Sequence, residues 1–154
     1  AKGDNIKIKG AEGVVIKKLK VIPDERGRLM EMFRSDDPLF KKFGQVYMTT
    51  AYPGVVKGWH YHKIQEDNMV VVKGMMKIVL YSPFTKELDE IFAGEYNPVL
   101  VHIPICIWHG FKCISDAEAL VINIPSEKYN YDSPDEYRIP PHHSINYIWD
   151  RKDG

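Results

Sequence analysis

The chain has 154 residues, 44% of them apolar, which suits one globular domain with a real core and is too apolar for disorder. Lys and Arg total 21 and Asp and Glu total 21, so net charge offers nothing to nucleic acid or an anionic membrane surface. No apolar run is long enough to cross a bilayer, AKGDNIKIKG carries no signal-peptide core, and Cys106 and Cys113 are too few for a disulfide scaffold. The composition predicts a soluble, cytoplasmic, single domain over residues 1–154 with two ordinary buried thiols.

In chain order the signal is β. The runs GVVIKKLKVI, QVYMTTAY, NMVVVKG with MMKIVLY, NPVLVHIP and EALVINIP are short, rich in Val, Ile and Tyr, and punctuated by Pro and Gly. One short helix is predicted after Asp36 or Asp37 as N-cap, with Pro38 in its first turn, apolar Leu39, Phe40 and Phe43, and Gly44 as its stop. Lys73-Gly74 reads as a hairpin connection with Gly at positive φ, and a second hairpin is predicted near SPFTKE. From Tyr129 the chain is rich in Pro and Tyr and reads as ordered loop with one helical turn; His142-His143 beside Pro140-Pro141 reads as surface. Many short strands with regular turns in a small domain point to a sandwich or barrel.

The stretch GVVKGWHYHKIQED carries the chemistry. On a strand, His60 and His62 share one face while Trp59 and Tyr61 share the other. Two imidazoles on one face suit either a proton-transfer site or a metal site. Trp59 and Trp108, each preceding a histidine of interest, read as core packing.

These residues and IPICIWHGFKC resemble the two cupin motifs. Gly54, His60, His62 and Glu66 fit the first, with Gly74 one residue late; Pro104 and His109 fit the second, with Cys106 in place of its glycine. The resemblance implies an all-β jelly-roll barrel (the cupin double-stranded β-helix), with the short helix added. Within cupins, PDERGRLMEMFR, VVKGWHY, IPICIWHGF and SINYIWD resemble segments of the dTDP-4-dehydrorhamnose 3,5-epimerase family over roughly residues 15–150. KGWHYHKIQE is similar to the corresponding pattern of the dTDP-sugar 3,4-ketoisomerases.

What the resemblance implies is proton transfer α to the ketone of an NDP-4-keto-6-deoxyhexose, in a cytoplasmic homodimer without metal or cofactor. A base tuned near neutrality removes the proton and an acid returns it, which is work for histidine. His60 matches the family base, His109 the second histidine of the cavity, and His62 the position of the epimerases' glutamine or the ketoisomerases' second histidine. Arg26 matches the arginine of the DERG block, Glu31 a glutamate near the nucleotide base, and Lys57 an arginine that precedes the motif; Arg138 is a further candidate for phosphate.

The family's tyrosine falls near Val121 and Ile122, so the acid is sought in the tail, at Tyr131 with Tyr129 and Tyr137 as alternatives, and Asp150 is the candidate partner of His60. Two other readings stand beside this one. The chain is a ketoisomerase, or it is a metal-binding or non-catalytic cupin in which His60, His62, Glu66 and His109 form a three-histidine, one-carboxylate set.

Overall fold

The computed structural model describes Asn5–Lys7 and residues 13–154. The chain forms thirteen strands among these residues, and no helix. They are β1 (Asn5–Lys7), β2 (Val15–Lys18), β3 (Val21–Asp24), β4 (Gly27–Met30), β5 (Tyr47–Ala51), β6 (Val56–Tyr61), β7 (Asp67–Lys73), β8 (Met75–Tyr81), β9 (Leu88–Gly94), β10 (Val99–Ile103), β11 (Trp108–Cys113), β12 (Ala119–Asn123) and β13 (Tyr137–Arg138). One sheet runs β1-β2-β10-β7-β12-β5, a second runs β13-β6-β11-β8-β9, and β3-β4 is a separate ribbon. Every described pairing is antiparallel. The expected jelly-roll barrel is what the chain forms.

The core follows from strand alternation. On β7, Met69 and Val71 face the other sheet, where they meet Met76, Ile78 and Leu80 of β8 and Phe111 and Cys113 of β11. The out-of-phase residues Val70 and Leu100 pack outside the first sheet under Met30, Met32, Phe33 and Leu39. Outside the second sheet, Trp59 and Val79 are covered by Ile145, Tyr147 and Trp149 of the C-terminal segment. That segment lies close on the backs of β6 and β11. A Cβ on Gly58 would come within 2.3 Å of Pro141, and one on Gly110 within 3.2 Å of Trp149. Lys77 and Lys112 both donate to the Trp149 carbonyl, at 3.1 and 2.9 Å, and fix its approach.

Three local expectations need correction or comment. The predicted helix does not form: Asp37 does cap the Leu39 amide at 2.9 Å, but only isolated turns follow. Its carboxylate is shared with Lys17, and Leu39 is drawn onto the outer face of the sheet, so packing outweighs helix propagation. Lys73-Gly74 is not a hairpin, since β7 belongs to the first sheet and β8 to the second; Gly74 at φ 71° takes the chain around the barrel corner. The hairpin at SPFTKE is present, closing β8 on β9 with Tyr81 opposite Leu88. The tail is ordered loop with the short β13 and no helical turn. His142 and His143 are exposed, and Cys113 is buried while Cys106 is half-buried.

Candidate active site

The barrel encloses one large cavity of about 1290 Å³, lined by both sheets and by residues 127–141. His60, His62 and His109 all reach it, as do Lys57 and Arg138. A bulge explains how Lys57 and His60, three residues apart, both face inward. His60 pairs with His109 and Lys57 with Phe111, so β6 spends three steps where β11 spends two. Lys57 donates to Thr49 Oγ1 across the cavity wall at 2.9 Å. The turn before β11 also matters: Cys106 adopts φ 64°, the left-handed conformation that explains why a glycine suits this position. Its amide donates to the His62 carbonyl at 2.7 Å, which ties the turn to the end of β6.

The centre of the site is a residue the sequence reading did not name. Asp67, buried and at the start of β7, places Oδ2 3.2 Å from His109 Nε2 and 3.4 Å from His62 Nε2. Its Oδ1 accepts from Gln65 Nε2 at 2.7 Å and from Asn123 Nδ2 at 3.0 Å. Burial alone would raise its pKa, but the hydrogen bonds and charges of His109 and His62 outweigh that and hold it far below the carboxylate range. The other nitrogens of the two histidines face backbone carbonyls. His62 Nδ1 lies 2.6 Å from the Asp135 carbonyl and His109 Nδ1 lies 3.0 Å from that of Ile107. With acceptors at both nitrogens His62 must donate twice; burial opposes its charge, but Asp67 wins and its pKa is raised.

His60 is set differently. Burial, reinforced by the positive fields of His109 and Arg138, lowers its pKa to about 4, so at neutral pH it is an uncharged proton acceptor. Its Nδ1 faces Glu136 Oε1 at 3.7 Å, and Arg138 donates to that same oxygen at 2.7 Å. Glu136 therefore stands where Asp150 was expected; Asp150 lies on the outer side of the second sheet, near Lys77. The tail is fastened over the site by Asp135, whose carboxylate accepts from the amides of Lys63, Ile64 and Gln65, each at 2.9 Å.

The remaining expected residues are spread more widely. Glu66 is turned away from the cavity and meets His102 Nε2 at 3.2 Å and Lys41 Nζ at 2.6 Å, so it cannot complete a set with His60, His62 and His109. Arg26 stands at the tip of the β3-β4 ribbon, 86% exposed and paired with Asp24 at 2.7 Å, and Glu31 pairs with Arg34 at 3.2 Å; neither lines the cavity of its own chain. Tyr131 sits at the mouth, 88% exposed and edge-on to Tyr129, while Tyr137 packs outside against Tyr61. Val121 lines the cavity and Ile122 does not; the next cavity residue on β12 is Asn123.

The donor set His62 Nε2, His109 Nε2 and an Asp67 carboxylate oxygen lies within 4.8 Å of one another. Imidazoles whose second nitrogen is tied to a backbone carbonyl are the usual support for a metal, so these three residues fit a divalent ion such as zinc. Asp67 takes the place assigned to Glu66 in that reading.

A two-sheet antiparallel barrel with its histidines converging at one end of the cavity defines a cupin-type jelly roll. Over residues 22–137 the chain matches the polysaccharide biosynthesis C-terminal domain family, and it belongs to that family. It is 42% identical over 134 residues to the probable low-salt glycan biosynthesis epimerase Agl13 of Haloferax volcanii, across 82% of this chain and 86% of that protein. It is 37% identical over 144 residues to the spore coat polysaccharide biosynthesis protein SpsL of Bacillus subtilis, across 90% and 95%. Among solved structures, a dTDP sugar isomerase from Desulfovibrio desulfuricans G20 superposes with a TM-score of 0.86 at 30% identity, across 93% and 94% of the two chains. A dTDP-4-dehydrorhamnose 3,5-epimerase from Sulfolobus tokodaii gives 0.76 at 27%, across 88% and 81%.

Proposed function

We propose that this chain is a nucleotide-sugar epimerase that removes a proton α to the ketone of an NDP-4-keto-6-deoxyhexose, with His60 as base. The observation that carries the reading is the placement of His60: it opens on a large cavity beside His62 and His109, with a carboxylate 3.7 Å from its Nδ1. The charge of Glu136 near Nδ1 favours the protonated ring, and Nε2 is the nitrogen that meets the substrate. A pKa of about 4 makes a modest base. The negative diphosphate and the developing enolate favour the imidazolium, so basicity rises as the substrate arrives. His62 and His109, anchored to Asp67, supply positive field at the end of the cavity where an enolate oxygen would gather charge.

The relatives' names and the nucleotide-sugar enzymes among the structural neighbours support this substrate class, and a cytoplasmic setting accords with it. A homodimer is part of the same proposal. Arg138 is the arginine lining the cavity, and Arg26 projects on a ribbon that belongs to neither sheet, where it could serve a second copy. Part of the IKIKGAEGVVIKKLKVI stretch expected to join two copies, residues 8–12, lies outside the described residues. Sedimentation as a monomer at micromolar concentration would remove this part.

The test of the chemistry is incubation with dTDP-4-keto-6-deoxyglucose in heavy water. Wild type is expected to incorporate deuterium next to the ketone, and His60→Asn to lose that exchange by about 10²–10⁴-fold while still binding nucleotide. Equal loss of binding would show that His60 is not a base.

The convergence of His62, Asp67 and His109 favours a second reading, in which the site holds a divalent metal. Such an ion would act as a Lewis acid on the ketone oxygen. His62→Gln separates the two. The amide can still donate to Asp67, so metal-free catalysis keeps most of its exchange, whereas a metal site comes through purification with much less bound ion.

A further inference from the structure

Inversion at a carbon needs two groups on opposite walls, because a base acting alone returns the proton to the face it came from. His60 occupies the wall built by the second sheet. We propose that Tyr47, on the opposite wall, is the acid that delivers the new proton; the inference rests on the epimerase reading above.

Other polar groups of that wall are already committed. Asp67 is held as a carboxylate by two histidines, Thr49 accepts from Lys57, and the Asn123 amide is no acid at physiological pH. Tyr47 stands on edge strand β5 directly across from Asn123 and shares the inward face with Thr49. Its oxygen accepts from Asn123 Nδ2 at 2.9 Å. The orientation of that amide is fixed independently, because Asn123 Oδ1 accepts from the Asn68 amide at 3.0 Å, which turns the NH₂ group toward Tyr47 and Asp67.

The phenol oxygen is therefore the acceptor in this bond. Among the described residues no protein acceptor takes its hydrogen, and the cavity is where it can go. Burial, with Asp67 and Glu136 nearby, raises the Tyr47 pKa and keeps it protonated. Glu136 is also the carboxylate that faces His60, so the two side chains look into the same volume from either side.

The proton balance closes without another reactant. His60 takes the C–H proton and the electron pair passes into the enolate. The enolate carbon takes the Tyr47 O–H proton on its other face and the ketone re-forms. What remains is imidazolium and phenolate, the latter stabilised by the Asn123 amide, and proton exchange with water in the open cavity restores both.

The test is Tyr47→Phe, assayed with dTDP-4-keto-6-deoxyglucose in heavy water for deuterium uptake and for inverted product separately. His60 can still remove a proton and return a deuteron to the same face, so uptake is expected within about tenfold of wild type. Inverted product should fall by about 10²–10⁴-fold. Undiminished inversion overturns the proposal, and so does equal loss of uptake and inversion in a variant that keeps its melting temperature and nucleotide binding. A fluorotyrosine at position 47, with its more acidic phenol, checks the role in an intact site. It should move the alkaline limb of inversion to lower pH while leaving that of uptake in place, and an unmoved limb counts against Tyr47. If wild type takes up no deuterium at all, the epimerase reading itself fails, and this inference with it.

Discussion

Glu66 and Asp67 are adjacent in sequence, and each is a carboxylate facing histidine, yet they do different work on opposite sides of one sheet. Asp67 points to the inner side and serves two histidines, His62 and His109, which line the cavity. Glu66 faces outward and serves His102 and Lys41, with His102 Nδ1 against Asn68 Oδ1 at 2.8 Å, all under the segment that runs from Met30 to Gly44. The same pair of functional groups makes a chemical site where it borders an empty volume and an anchor where other residues cover it. Strand alternation alone decides which is which.

That comparison can be broken most sharply at Asp67. Asp67→Ala leaves two histidines without their shared carboxylate, and loss of one member of a buried ionic cluster costs about 3–5 kcal/mol. Urea denaturation should show a drop of that size, and deuterium exchange should fall by about 10²-fold as the rings lose register. The NMR titration of His62 should move to lower pH, since Asp67 is what holds it up. An unchanged His62 titration would show that Asp67 does not set its state.

Glu66→Gln should sharpen the contrast from the other side. It removes the charge facing Lys41 and His102 outside the cavity and is expected to cost about 1–3 kcal/mol in the same denaturation experiment. Exchange activity should remain within about threefold of wild type. If catalysis collapses with it, the outer cluster around Glu66 is coupled to the cavity.

The smallest expected effect is in pH dependence. Burial lowers the pKa values of His102 and His60, the latter to about 4, so below the ordinary value of about 6.5 the unfolded chain binds more protons than the native one. Their contribution therefore disappears as pH falls through that window. His62 has the opposite sign: its raised pKa gives stability that is present below about 6.5 and is lost as pH rises through the folded value. Denaturation midpoints should accordingly rise between pH 4.5 and 6.5, about the span between these pKa values. His102→Asn should flatten that rise, and an identical slope in the variant would remove His102 from the account.

Much of this was legible in the sequence because the signals were local. His60 and His62 share a face by strand alternation, and His109 stands in a motif recognisable from Pro104 although Cys106 replaces the glycine of its turn. The short β runs and their punctuation point to a sandwich or barrel, and the resemblance to the two cupin motifs narrows that to a jelly roll. What stayed hidden depends on contacts between distant segments. Asp67 follows a loop after His62, across which alternation cannot be counted, so Glu66 was the natural choice and the wrong face. Glu136 and Tyr47 reach the site from the tail and from an edge strand, and neither position carries a motif. Gly74 advertises a positive φ equally well for a hairpin and for a crossing between sheets. Asp37 caps a turn as a helix N-cap would, and tertiary packing does not let a helix form.

The C-terminal segment across the backs of β6 and β11 sets an order of assembly. Gly58 and Trp59 leave the ribosome long before Pro141 and Trp149, which clamp them from behind, and before Glu136, which faces His60. Until those later residues are synthesised, the nascent barrel exposes the apolar back of its second sheet and its base lacks the neighbouring carboxylate. Chemical competence thus arrives only when residues 135–149 have been translated and docked, and a chain stalled before them would present a sticky surface and an incomplete site to the cell's quality control.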